Sequence, residues 1–169
     1  MPKTLYSIFL AATLCCLPLY TKNPLPPKSD AAFLAMAAEA DMTLAHIGQM
    51  AEDRAANTKL KNFGETLVQD HTGDYQSLSI LAGKMGDTIP KAIDKINTRE
   101  ITGLDRYHGK SFDHAFLLRE SAVHQKLAAA VRREAEHGSN PDIKAYATKA
   151  LPTIERHLHE TQDLMKQRS

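Results

Sequence analysis

Apolar residues recur at three- and four-residue steps in four long stretches of this chain, the signature of helices that each bury one face. Ser29-Asp30 offers a helix start, and Phe33, Ala37, Ala40, Leu44, Ile47 and Ala51 form the first stripe. Asn57 can cap a second helix, whose stripe runs Leu60, Gly64, Leu67, His71, Asp74, Leu78, Leu81 and Met85 and ends at Gly86 and Pro90. Residues 91 to 105 predict a shorter helical piece through Ile93, Ile96, Ile101 and Leu104, followed by a loop around Gly109. Ser111 is the expected cap of the third long helix, with the stripe Phe112, Phe116, Glu120, Val123, Leu127, Val131 and Glu134 and a terminating Gly138. Asn140-Pro141 starts the fourth, which runs Ile143, Ala147, Ala150, Ile154, Leu158, Thr161 and Met165, with a bend expected at Pro152.

Four helices of roughly 25 residues are each about 37 Å long. The links after the first and third are short, so those neighbours should run antiparallel. The pattern therefore predicts an all-α domain over residues 29–169: an antiparallel four-helix bundle with a short extra helix between helices 2 and 3. No internal repeat at a solenoid period is present.

Residues 1–28 have a different character. A short positive start (Lys3) leads into an almost wholly apolar run from Leu5 to Leu19 and then a polar, Pro-rich stretch from Thr21 to Ser29. This is the layout of a secretory signal peptide followed by a linker. The apolar run is short of the roughly 20 residues that span a bilayer as a helix. Export to the periplasm or cell envelope is the expectation. Cys15 and Cys16 raise a lipoprotein signal, but Ala12-Thr13-Leu14 before them fit one poorly. Both cysteines of the chain lie here, so the remainder has neither disulfide nor thiol chemistry.

Charge narrows the partners. The whole chain carries 21 basic and 20 acidic side chains, and without residues 1–28 the balance is 18 against 20, with signs interspersed. That is no nucleic-acid footprint and no polybasic membrane patch. Nucleophile elbows, phosphate loops, nucleotide fingerprints and the His-Glu-x-x-His zinc motif are missing, which argues against an enzyme and points to no small-molecule substrate.

The chemistry that remains is histidine. His71 occupies the middle of the second stripe, where Leu or Ala belongs. Glu120 takes a core position of the third long helix, and His124 follows one turn later on the same face. His157 lies about 60° round the fourth helix from Ile154. His46, His108, His114, His137 and His159 read as edge, loop or surface residues. Three helices thus bring one histidine each towards the interior. Neutral imidazole and carboxylate suit Zn, Fe, Cu or Mn, and bundle cores build metal sites from facing helices. The candidate metal ligands are His71, Glu120, His124 and His157, with Asp70, Asp74, Tyr75 and Glu155 as partners behind them. The paired Glu-x-x-His motifs of di-iron bundles are absent, so ferroxidase chemistry is not expected.

Several stretches resemble a family of exported bacterial domain-of-unknown-function proteins with a ferritin-like four-helix fold, often labelled outer membrane proteins. They are Phe33 to Ala51, Leu67-Val68-Gln69-Asp70-His71, Phe112-Asp113, His124, and Leu151-Pro152-Thr153-Ile154-Glu155-Arg156-His157-Leu158. The resemblance covers roughly residues 30 to 165. It implies a helical bundle in the periplasm or envelope with His71, His124 and His157 facing inward, and it brings no activity with it. Relatives commonly carry Glu where this chain has Leu44. His46 points about 160° away from that position and cannot replace it, which leaves Glu120 as the candidate compensating carboxylate.

Two functions follow as expectations. One is an envelope protein that binds a transition metal (Zn, Fe or Cu) in its core. The other is a structural or stress-related protein whose histidines are core hydrogen-bonders, with an envelope protein or a second copy of itself as partner.

Overall fold

The computed structural model describes residues 29–167, so the signal, lipidation and linker readings lie outside the described residues. The described chain is all-helical: α1 (Asp30–Arg54), α2 (Thr58–Lys84), α3 (Lys95–Thr102), a 3-10 turn (Gly103–Arg106), α4 (Gly109–His137) and α5 (Pro141–Lys166). None of these helices is long and apolar enough to cross a membrane.

Three of the four long helices start where capping chemistry places them. The side chains of Ser29, Asn57 and Asn140 accept backbone N–H groups of the first turns of α1, α2 and α5, each worth about 1 kcal/mol. The fourth differs from expectation. Ser111 is not the cap of α4; His108 is, and Ser111 sits three residues inside, its hydroxyl accepting the His108 N–H in return. Gly109, expected in a loop, is the first residue of α4 with φ 53°. Gly138 ends α4 at φ −55°, so no left-handed cap is used there. α5 continues as helix through Pro152.

The expected stripes of the long helices are buried, apart from the half-buried Asp74 and Met85 of α2 and one systematic shift in α5, whereas Ile96 of the short helix is exposed. In the second half of α5 the buried positions are Ile154, His157, Thr161 and Leu164, while Leu158 and Met165 are only half-buried. The inward face of α5 thus passes through His157.

Two features set how the helices meet. α1 and α2 cross with backbones in close contact at Gly48 and Gly64. A Cβ on Gly64 would lie 2.5 Å from the Gly48 carbonyl oxygen and 2.7 Å from the Glu52 nitrogen. Seven residues before Gly48 and seven after Gly64 stand Asp41 and His71, which touch. Pairs that step in opposite directions mean antiparallel helices, and seven residues are two turns, so the glycine contact carries its register to the Asp41–His71 level. α4 and α5 pair the same way: Glu120 meets Thr161, and His124 meets His157. Between these pairs lies an apolar core that includes Phe63, Phe112 and Phe116, whose rings stack or meet edge-on at 6.3–6.4 Å.

The middle of the connection from α2 to α4 is tied to both α1 and α4. Glu39 of α1 accepts from the Asp94 N–H and Asn97, and Arg119 of α4 reaches Asn97 and Glu100. Tyr75, expected near the histidines, instead donates to the Pro90 carbonyl at 2.8 Å. Asp113, buried at the start of α4, accepts the Ala56 N–H in the α1–α2 link at 2.9 Å.

Candidate functional site

His71, His124 and His157 come together in the centre of the molecule, each with no solvent exposure. Each helix contributes through a stripe position: His71 four residues after Leu67 on α2, His124 four after Glu120 on α4, and His157 three after Ile154 on α5. His71 Nε2 is 3.1 Å from His124 Nε2, and His124 Nε2 is 3.2 Å from His157 Nδ1. The ring centroids lie 5.0–5.3 Å apart, so the three imidazoles form one tight triangle. Phe63 packs edge-on against His157 at 6.0 Å and closes one side with hydrocarbon.

The outward nitrogen of every ring faces a carboxylate. His71 Nδ1 is 2.9 Å from Asp41 Oδ1, and His157 Nε2 is 2.9 Å from Asp70 Oδ2. His124 Nδ1 is 2.7 Å from Glu120 Oε1, off-axis for a hydrogen bond, and neither of those two atoms finds another partner. The other oxygen of Glu120 accepts from the Thr161 hydroxyl, and Asp70 also takes Arg156 at 3.0 Å. Of the four sequence-predicted ligands, three histidines thus share a centre. Glu120 stands at the outward nitrogen of His124 instead of among the inner nitrogens.

Position also decides the supporting residues. Asp70 is where the sequence suggested, and Asp74 lies close to Asp41 and His71. Glu155 points elsewhere, to Arg132 at 2.6 Å. Asp41 was missed, although the signal was there: it falls four residues after Ala37 and three before Leu44, on the buried side of α1. It brings to the site a carboxylate from α1.

Burial favours the neutral form of His71 and His157. His71 is pushed well below the usual histidine range, first by desolvation and then by His124 and His157. His157 is lowered to about 4, by desolvation and then by His124, with the Asp70 hydrogen bond pulling partly the other way. Asp41 is raised well above the carboxylate range by its burial and by Asp74.

A neutral imidazole has one N–H. If that proton serves the outward carboxylate, all three inner nitrogens present lone pairs to one another at 3.1–3.2 Å. One internal N–H bridges one of these contacts and leaves the other unsatisfied. Three convergent imidazole nitrogens, each ring with a carboxylate behind it and two of them hydrogen-bonded to it, are a donor set that fits a borderline divalent cation.

The family model described as Domain of unknown function (DUF4142) matches residues 20–164, and the chain belongs to that family. No curated protein and no solved structure matches it.

Proposed function

We propose that this member of a family of unknown function is a metal-binding protein of the periplasm or cell envelope. It is a ferritin-like four-helix bundle that holds one transition metal ion (Zn, Fe or Cu) on His71 Nε2, His124 Nε2 and His157 Nδ1. The observation that carries this reading is the carboxylate behind each of the three rings: Asp41, Glu120 and Asp70. Such partners fix the tautomer and raise the basicity of a ligating histidine, and Glu120, a ligand candidate on sequence grounds, stands behind His124 in that position instead of among the ligands. Holding an ion, in storage or buffering, suits the site better than turnover. The histidines have no solvent exposure, and the described surface clefts of about 300 to 670 Å³ are lined by other residues.

A structural or stress-related role, with the histidines as hydrogen-bonders only, is favoured by one observation. Asp41, His71, His124, His157 and Asp70 form a continuous chain of contacts at 2.9 to 3.2 Å. Calorimetric titration separates the two readings. Chelator-stripped protein, purified without a polyhistidine tag, is titrated with Zn²⁺, Fe²⁺ and Cu²⁺ beside a His71→Ala, His124→Ala, His157→Ala variant. Tight binding by the parent that the variant loses supports the metal site. No heat and no thermal shift in the parent, with a less stable variant, establishes the hydrogen-bonded core.

A further inference from the structure

His71 belongs to two clusters. Its inner nitrogen looks into the three-histidine centre, and its outward side meets Asp41 and Asp74. One carboxylate oxygen from each of those residues and a ring nitrogen of His71 lie within 4.8 Å of one another. Asp41 uses only Oδ1 on His71. Its Oδ2 is fully buried and has no hydrogen-bond partner, in a residue only 2% exposed. An orphaned carboxylate oxygen in a desolvated site is costly, because the group has lost water and gained nothing in exchange. A second acid beside it compounds the cost. Asp74 is half-buried one turn after Asp70, and burial and the Asp70 charge push its carboxyl up while Lys149 on α5 opposes them only in part.

Among the described groups here, His71 and Lys149 are the ones able to carry positive charge. His71 reaches only Oδ1 of Asp41, and Lys149 acts on Asp74, so neither contacts the orphan oxygen of Asp41. Tyr146 of α5 completes the surroundings, its hydroxyl feeling both Asp41 and Asp74 and held in its protonated form by burial and those charges. What the cluster lacks is a cation. The two carboxylates, with the orphan oxygen of Asp41 among their atoms, are donors for a hard or borderline divalent ion such as Mn²⁺ or Zn²⁺.

We propose that Asp41 and Asp74 form a second cation-binding position, separated from the three-histidine site by the single imidazole of His71. The inference rests on the metal reading above for its neighbour but has its own ligands, and the two fail separately. Asp74 is half-exposed where Asp41 is buried, so the second position also stands between solvent and His71.

Native mass spectrometry of the stripped full chain titrated with Zn²⁺ counts the ions directly. The expected result is two ions bound by the parent and one by Asp74→Asn. Asp74→Lys, which sets an ammonium beside Asp41, should also hold one. The half-exposed position accommodates either change, and circular dichroism verifies the fold. One ion in the parent and in both variants overturns the second position and leaves the histidine site standing. Two ions in all three proteins places the second ion elsewhere and also overturns it. One ion in the parent that both variants lose keeps the Asp41–Asp74 position and overturns the three-histidine reading. No ion in the parent overturns both.

Discussion

Asp41 and His71 face each other across α1 and α2 at 2.9 Å, and each stands two helical turns from the close contact of Gly48 with Gly64. The glycine pair lets the two backbones approach until carbonyl and amide groups nearly touch, and that fixes the level at which acid meets imidazole. Gly64→Ala is therefore expected to destabilise by about 1–3 kcal/mol, the range for overpacking, and to weaken metal binding as well. Gly73 is its control on the same helix, because a Cβ there meets nothing within 4 Å. Gly73→Ala should stabilise by about 0.5–1 kcal/mol with affinity unchanged. Denaturant unfolding and zinc titration of the two variants check the pair. Equal effects from both would remove the role given to the Gly48–Gly64 contact.

Asp70 tests the carboxylate-behind-imidazole argument, since it is partly exposed and its loss leaves the core packed. Asp70→Asn keeps the shape and removes the charge. Affinity for the metal should fall by about 10–100-fold while the melting temperature of the stripped protein changes little. An unchanged affinity would mean that His157 is not oriented through Asp70.

The two lowered histidines give the stripped protein a definite pH signature. His157 titrates near 4 in the folded chain and near the ordinary 6.5 when unfolded. As pH falls through that window the unfolded chain takes up the proton first, so this contribution to stability is present above 6.5 and is lost towards 4. Each such group costs about 1.4 kcal/mol per pH unit within its window, and His71 acts in the same direction. Asp41 works the opposite way, because its raised folded form binds a proton before the unfolded chain does. The clean readout is the difference between parent and His157→Gln. The parent should lose stability more steeply between pH 6.5 and 4, measured by urea unfolding with chelator present. Parallel curves would mean that His157 is not held neutral.

Much of this was legible in the sequence, for reasons that particular residues make plain. His71 and Glu120 stood out because they interrupt apolar stripes, and His124 followed from Glu120 by helical spacing. The helix starts at Ser29, Asn57 and Asn140 were legible because capping is local chemistry. What was not legible depends on the contact between helices. Whether Glu120 joins the inner nitrogens or stands behind His124 turns on ring orientation, which spacing along one helix does not contain. Asp41 lay on the buried side of α1, but only its pairing with His71 on another helix gives it a role. Tyr75 and Glu155 had suitable chemistry and were drawn away by Pro90 and Arg132, partners that no periodicity announces. The start of α4 lies three residues earlier than expected, because a histidine serves as cap in place of the serine inside it.

The central claim is that the three inner imidazole nitrogens hold one ion. X-ray absorption at the zinc edge, on stripped protein loaded with a single equivalent of Zn²⁺, tests it most directly. The expected spectrum has a first shell of three imidazole nitrogens at about 2.0–2.1 Å and the outer-ring scattering of histidine, lost in the His71→Ala, His124→Ala, His157→Ala variant. A shell of oxygens alone, or a spectrum unchanged by that variant, would contradict it.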